Sequence, residues 1–139
     1  MIKVSDNFYV SSQIDDSHVA YLKEQEFNLV VCNRPNDEEQ GQTGFEQIEQ
    51  ACKEADINFI NLPMVPGNLT SELITETKAI IDKNIKTFAY CRTGTRCINL
   101  WACANAIEGN IEETIELGTE AGYDLDHLRP LLKEINSSS

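Results

Sequence analysis

The sequence alternates short apolar segments, rich in β-branched residues, with longer segments whose apolar residues recur every three or four positions. The first kind is typical of buried strands, and the second of helices that cover a sheet. Helices that cross over between successive strands impose a mainly parallel central sheet flanked by helices on both faces. We therefore predict a single α/β domain over 1–136, followed by a frayed tail over 137–139.

Each predicted element ends at a turn or capping signal. Strands are expected in an N-terminal hairpin (Ile2–Val4 and Phe8–Val10) and over Phe27–Cys32, Ile57–Leu62 and Lys86–Tyr90. Helices are expected over Asp15–Gln25, from a Thr43 cap, from a Thr70 or Ser71 cap, from the loop after Cys91 to Gly109, from Asn110 to about Ala121, and over Leu125–Ile135. Parallel sheets bind ligands beyond the carboxyl ends of their strands, which directs attention to the segments after Cys32, Leu62 and Tyr90.

The charge of the chain excludes several classes of partner. Eleven Lys and Arg residues against 23 Asp and Glu give a net charge of −12, which repels nucleic acid and anionic membrane surfaces. No apolar run approaches the ~18–20 residues of a membrane helix, and the N-terminus lacks a signal-peptide pattern, so we expect a cytoplasmic protein. The sequence carries no signal for an oligomeric state.

The five cysteines indicate free thiols. An odd number, without an export signal, favours a reducing compartment. The sequence has no Cys-x2-Cys pair, and His18 and His127 lie far from the cysteines, so we expect no metal site and no cofactor. Each cysteine is then either buried structure or a reactive thiolate.

One loop combines the residue types of a cysteine-based anion site. After the strand that ends at Tyr90 the sequence reads Cys91-Arg92-Thr93-Gly94-Thr95-Arg96, and a helix follows. Backbone N–H groups of such a loop and the helix N-terminus converge on one point and bind an anion. The same groups, with two arginines, lower the pKa of a thiol and favour the thiolate. Gly94 allows the tight curl, and Thr93 or Thr95 can donate to the anion.

The arginines are concentrated near the same predicted edge of the sheet. Of the four in the chain, Arg34, Arg92 and Arg96 follow strand ends, and a guanidinium fork suits oxyanions. We predict Cys91 as nucleophile, with Arg96, Arg92 and Arg34 binding the anion. For Arg34 the alternative is a salt bridge within its own loop, to Asp37, Glu38 or Glu39.

These residues resemble known active-site loops. Cys91 to Arg96 is similar to the six-residue loop of bacterial rhodaneses, and is one residue shorter than the Cys-x5-Arg loop of cysteine-dependent phosphatases. Over nearly the whole chain the sequence resembles the beta-lactamase-hydrolase-like family of phosphatase-like domains, also described as sulfur transferases. The matching segments are Ser11–Gln13, Asn33–Glu38, Pro63–Gly67, Tyr90–Arg96, Leu100–Trp101 and Ala121–Leu125. The resemblance implies a cysteine-phosphatase-like fold with Cys91 as nucleophile.

Two departures from the phosphatase pattern favour sulfur transfer over phosphoester hydrolysis. The loop has four residues between Cys91 and Arg96 instead of five, and a single sulfur needs less room than a phosphoryl group. The loop over 63–70, which should supply a general acid, has no Asp or Glu, and Tyr90 stands where phosphatases usually carry His. Sulfur transfer needs no strong acid, because its leaving group is already a stable anion.

Three alternatives stay open at this stage. Asp37, Glu38 or Glu39 could replace the missing acid, or Glu38 could orient Arg34. Cys97 could hydrogen-bond Cys91, and either Cys97 or Cys32 could act as a resolving thiol, although a packing role is favoured for both. Finally, the loop could belong to a non-catalytic module that only binds sulfate, phosphate or a phosphopeptide.

Overall fold

The structure, a computed structural model, describes residues 1–138 and contains a five-stranded sheet. The strands are β1 (Ile2–Ser5), β2 (Phe8–Ser11), β3 (Leu29–Cys32), β4 (Asn58–Asn61) and β5 (Thr87–Tyr90). Their order is β1-β2-β5-β3-β4; β1 pairs antiparallel with β2, and every other pairing is parallel. This confirms the predicted α/β class, the N-terminal hairpin and the mainly parallel sheet.

Six α-helices connect and cover the strands. They are α1 (Val19–Glu24), α2 (Phe45–Glu54), α3 (Ser71–Asp82), α4 (Thr95–Asn105), α5 (Ile111–Glu120) and α6 (Arg129–Ser138), with 3₁₀ turns at Asp16–His18 and Asp126–Leu128. Two predicted caps are confirmed, since Thr70 and Asn110 accept from backbone N–H groups of the first turns of α3 and α5.

Several predicted boundaries differ from the structure; for example, α4 ends at Asn105 instead of running to Gly109, and the strand predicted from Phe27 begins at Leu29. Helix α2 does not start from a Thr43 cap: Gly44 is its N-cap residue, and the Asn36 side chain accepts the N–H of Phe45 at 2.9 Å. An amide from the preceding polar loop thus replaces the local hydroxyl. At the other end, Ser137 and Ser138 continue α6 where a frayed tail was expected, while Ser139 lies outside the described residues.

The sheet separates two apolar layers. Leu29, Val31 and Ala89 pack on the side of α3, α4, α5 and α6, whereas Val30 and Phe88 pack on the side of α1 and α2. Both faces are therefore buried, as sheets with crossover helices require. No helix within residues 1–138 is long and apolar enough to cross a membrane.

The parallel register gathers four connecting segments at one edge. Strands β2, β3, β4 and β5 all run in the same direction, so the segments after Ser11, Cys32, Asn61 and Tyr90 emerge side by side. The segments after β2, β3 and β5 are also linked by backbone hydrogen bonds: Cys91 donates to Ser11 and Asn33 donates to Tyr90. This edge contains the predicted site.

Candidate active site

The loop after β5 curls around the sulfur of Cys91. The backbone N–H of Gly94 donates to Cys91 Sγ at 3.2 Å, and α4 begins at Thr95. Gly94 has φ +89°, a left-handed conformation that L side chains rarely adopt. Cys91 itself is only 1% exposed. The sulfur is thus buried at the edge of the apolar core, with a backbone N–H donor directed at it.

The surroundings of Cys91 favour the thiolate. A hydrogen bond from the Cys97 thiol, followed by the backbone N–H groups of Cys97, Thr93 and Arg96, lowers the pKa of Cys91 from 9.0 to about 5 against the opposing effect of burial. Burial raises the pKa of Cys97 well above 9.0, so that neighbour keeps its proton and can donate it to the hydrogen bond. At neutral pH Cys91 is therefore an anion, which is the form in which a thiol can act as a nucleophile.

Arg96 is shared between the loop and a carboxylate. Its Nη1 and Nη2 donate to the two oxygens of Glu38 at 2.9 and 2.8 Å, and Nη1 also donates to the carbonyl oxygen of Met64 at 2.9 Å. Within residues 1–138 the Nε–H has no hydrogen-bond partner. One edge of the guanidinium is fixed by protein groups, and the Nε edge stays available to an anion.

Arg34 is a buried connector between two loops. Its guanidinium, 1% exposed, donates to Glu38 at 2.8 Å, to Gln13 at 3.0 Å and to Glu39 at 3.1 Å. The expected salt bridge within its own loop is present, and it leads directly to the carboxylate that holds Arg96. Arg34 therefore reaches the site through Glu38, and its donors are used by protein acceptors.

Glu38 is the carboxylate that joins the two arginines. Hydrogen bonds from Arg96 and, next, Arg34 hold the pKa of Glu38 below its usual 4.5, so that it is ionised at neutral pH. The neighbouring Asp37 adopts φ +63° and is exposed, and none of the described hydrogen bonds or ion pairs joins its carboxylate to this network. The structure thus brings Glu38 into the site and leaves Asp37 outside it.

The remaining predicted residues line the mouth of the loop. Arg92, Thr93 and Thr95 are exposed, and the two threonine hydroxyls hydrogen-bond each other at 2.9 Å. The Arg92 guanidinium makes no hydrogen bond or ion pair with the described residues. It is the most accessible cation beside the nucleophile.

Three contributors were not predicted as site residues. Gln13 accepts from Arg34, the Met64 carbonyl accepts from Arg96, and the Tyr123 hydroxyl donates to the carbonyl oxygen of Thr93 at 3.0 Å. Gln13, Met64 and Tyr123 all fall inside segments of family resemblance, and that was the available signal. Residue type and spacing alone did not distinguish them.

The loop after β4 supplies no acid. Residues 63–68 contain no carboxylate, and the contact of this loop with the site is the Met64 carbonyl. Residues 1–138 also contain no cluster of three or more His, Cys, Asp or Glu side chains that could hold a metal ion.

Cys32 is the last residue of the neighbouring strand β3, and its environment differs from that of Cys91. Its thiol donates to the carbonyl oxygen of Arg34 at 3.2 Å, and burial raises its pKa. The Tyr90 hydroxyl is buried beside the Cys32 thiol and interacts with it. A resolving role for Cys32 or Cys97 stays a prediction.

Comparisons with known proteins agree with this geometry. The sequence model of the phosphatase-like domain of the beta-lactamase hydrolase-like protein matches residues 1–108. A curated beta-lactamase hydrolase-like protein of Agrobacterium fabrum is 24% identical over 127 residues, which is 89% of this chain and 30% of the relative. The chain therefore spans less than a third of that relative's length.

Solved structures share the fold. A candidate phosphatase from Neisseria meningitidis is 29% identical, with 96% of each chain covered and a TM-score of 0.83. The catalytic core of the PP-IP phosphatase Siw14 from S. cerevisiae, solved with citrate, is 19% identical, with 96% of this chain and 91% of that chain covered and a TM-score of 0.63. The predicted resemblance and the cysteine-phosphatase-like fold are thereby confirmed.

Proposed function

This chain belongs to the family of the beta-lactamase hydrolase-like phosphatase-like domain, and from that premise we propose that it is a cysteine-dependent sulfur transferase. Cys91 is the nucleophile, and Arg96 binds the anionic part of the donor through its Nε edge. The loop N–H groups hold the thiolate and the sulfur that it accepts. Arg92, Thr93 and Thr95 receive the donor at the mouth of the loop.

The observation that favours sulfur transfer over phosphoester hydrolysis is the ionised state of the Glu38 carboxylate. It is the carboxylate bound to Arg96, and two guanidinium groups keep it ionised. An acid that has already lost its proton cannot protonate a departing alkoxide, and the loop over 63–68 offers no substitute. The geometry supports an orienting role for Glu38 and a reaction whose leaving group needs no proton.

Sulfur transfer meets that requirement. The Cys91 thiolate attacks the outer sulfur of a thiosulfate, a bond forms between the two sulfurs, and the old S–S bond breaks. Sulfite leaves with the bonding electron pair, so no proton is required. The thiolate of an acceptor then attacks the outer sulfur of the Cys91 persulfide, takes that atom, and regenerates the Cys91 thiolate.

The size of the loop supports the same reaction. Four residues separate Cys91 from Arg96, and Gly94 N–H already lies 3.2 Å from the cysteine sulfur. A ring this small suits one additional sulfur atom better than a tetrahedral phosphoryl group with three oxygens.

The second candidate is phosphoester hydrolysis through a phosphocysteine. It is favoured by the names of the structural neighbours, a candidate phosphatase and the PP-IP phosphatase Siw14. Without an acid, this chemistry would be confined to esters with good leaving groups. An aryl phosphate would then be hydrolysed, and an alkyl phosphate would not.

Whole-protein mass spectrometry tests the proposal. After incubation with thiosulfate, we expect a one-sulfur adduct on Cys91 that an added thiol or cyanide removes. Cys91→Ser should form no adduct, and Cys32→Ser, the matched control on the neighbouring strand, should load normally. Hydrolysis of an aryl phosphate and of an alkyl phosphate is measured in parallel with adduct formation.

The outcomes separate the candidates. A removable adduct without ester hydrolysis supports sulfur transfer. Hydrolysis of the aryl phosphate without an adduct, whether or not the alkyl phosphate is also hydrolysed, would reject it in favour of a phosphatase. Sulfate or phosphate binding that survives Cys91→Ser, with neither reaction in the wild-type protein, would instead indicate a binding module.

A further inference from the structure

One peptide group of the loop is held from both sides. The Tyr123 hydroxyl donates to the carbonyl oxygen of Thr93 at 3.0 Å, and the N–H on the other side of the same peptide, that of Gly94, donates to Cys91 Sγ at 3.2 Å. The two hydrogen bonds form a continuous chain from a phenol, through one peptide unit, to the nucleophilic sulfur. Hydrogen bonds connected in this way polarise and strengthen one another.

The fit between Tyr123 and Gly94 fixes the orientation of that peptide. A Cβ on Gly94 would lie 2.3 Å from the Tyr123 hydroxyl oxygen and 3.3 Å from Cζ, and the residue also needs φ +89°. The phenol therefore occupies the space that any side chain at position 94 would take. Rotation of the peptide would remove the acceptor from Tyr123 and the donor from Cys91 together.

The turn that carries Tyr123 is itself rigid. It lies between α5 and the second 3₁₀ turn, and the N–H of Tyr123 donates to the carbonyl oxygen of Gly118 at 2.9 Å. Leu125, buried in the core, packs directly on Gly118, where an added Cβ would lie 2.3 Å from its Cδ1. The hydroxyl is thus delivered from an element outside the four segments that build the site.

We propose that Tyr123 is a positioning residue of the active site, whose hydroxyl holds the Thr93–Gly94 peptide so that the Gly94 N–H points at the Cys91 sulfur. The inference rests on the proposed function, because it assigns a role relative to the Cys91 nucleophile. Tyr123 contacts neither the sulfur-donating substrate nor the Cys91 sulfur, and it acts only through the Thr93–Gly94 peptide.

Tyr123 keeps its proton while it does this. Burial, and then the electrostatic influence of Cys97 and Cys91, raise the pKa of Tyr123, so the phenol stays a donor over the whole range in which Cys91 titrates. The other ionisable or charged groups that interact with Cys91 come from the start of α4 and the end of β3: Arg96, Cys97 and Cys32.

The pH dependence of Cys91 alkylation, followed by mass spectrometry, tests the proposal. Tyr123→Phe keeps the ring and removes the hydroxyl, and we expect the midpoint for Cys91 to rise by roughly half to one pH unit, a three- to tenfold weaker acid. Tyr21→Phe is the matched control, because Tyr21 is exposed on α1 and makes none of these contacts. An unchanged midpoint in Tyr123→Phe would overturn the proposal.

A second variant distinguishes hydrogen bonding from packing. Incorporation of 3-fluorotyrosine at position 123 gives a stronger donor of nearly the same shape, so the midpoint should move down, opposite to Tyr123→Phe. A shift in the same direction as Tyr123→Phe would mean that packing alone is responsible and would also overturn the proposal. Failure of the proposed function looks different: the wild-type protein would form no adduct with thiosulfate, while the midpoints of wild type and Tyr123→Phe would still differ.

Discussion

Two cysteines at the ends of neighbouring strands experience opposite environments. Cys91 directly follows β5 and Cys32 ends β3, and they are 1% and 2% exposed, respectively. Yet the pKa of Cys91 is lowered to about 5, chiefly by hydrogen bonding from Cys97, whereas burial raises the pKa of Cys32. Burial is common to both residues, so it does not decide which thiol becomes reactive.

The hydrogen bonds around the two sulfurs differ. Cys91 Sγ accepts from the N–H of Gly94, whereas the Cys32 thiol donates to the carbonyl oxygen of Arg34. A helix start follows Cys91 closely and presents N–H groups to the sulfur. After Cys32 the chain runs into Pro35, which has no N–H, and a carbonyl faces the thiol. The same side chain is an anion in one setting and a neutral donor in the other.

The two segments also divide the work of the site. In the proposed function, the segment after β5 provides the nucleophile and Arg96, while the segment after β3 provides Glu38 and Arg34, which hold Arg96 in place. The groups proposed to react lie on the segment after β5, and the groups that orient them lie on the segment after β3. Substitutions in the first should therefore cost more than substitutions in the second.

The largest contrast should come from exchanging each thiol for a hydroxyl. Cys91→Ser should lose sulfur loading by at least about 10³-fold, because serine at neutral pH is not ionised and is a poor nucleophile. Cys32→Ser should stay within about twofold of wild type, since a hydroxyl can still donate to the Arg34 carbonyl. The initial rate of adduct formation from thiosulfate measures both. Equal losses would remove the distinction between the two thiols.

Arg96→Lys should cost about 10²-fold in the same rate. Lysine keeps the positive charge but cannot hold Glu38 with one edge while it offers a second edge to the donor anion. The matched control is Arg129→Lys, because Arg129 pairs with Glu112 and Asp126 away from the site. Near-normal loading by Arg96→Lys would transfer anion binding to Arg92.

The stability of the fold should depend on pH through Cys91. Because the pKa of this thiol is depressed to about 5 in the folded protein from 9.0, its stabilisation is complete above 9 and is lost as pH falls to 5. Between pH 6 and 8 the free energy of unfolding of wild type, relative to Cys91→Ser, should rise by about 1.4 kcal/mol per pH unit. Denaturant titrations of both proteins supply that difference, and parallel profiles would contradict it.

Glu38→Gln should have a smaller effect, roughly three- to tenfold on sulfur loading. The amide keeps the shape of the carboxylate but weakens the pairing with Arg96 and Arg34. Because Glu38 is already ionised at neutral pH, the pH profile of the variant should keep the wild-type limbs. Disappearance of a limb would identify Glu38 as an acid and would reopen the phosphatase mechanism.

Those features of the fold and of the site that depend on local sequence pattern could be predicted. The alternation of segments predicted the sheet, and the Cys91–Arg96 spacing predicted a loop around a thiolate. The pairing of Glu38 with Arg96 could not be selected, because three acidic residues are adjacent at 37–39 and the left-handed turn at Asp37 decides which one faces inward. Tyr123 lies 30 positions from Thr93, and only tertiary packing brings its hydroxyl to the loop.

The most direct measurement is the alkylation rate of every cysteine in the wild-type protein, followed by mass spectrometry from pH 4 to 10. We predict a midpoint near 5 for Cys91, while burial raises the pKa of Cys32, on the neighbouring strand, so that Cys32 reacts only at higher pH. Cys52 and Cys103, whose pKa values are raised to about 11 and about 12 by burial, serve as internal references. A midpoint for Cys91 at or above pH 9, or one that coincides with that of Cys32, would contradict this prediction.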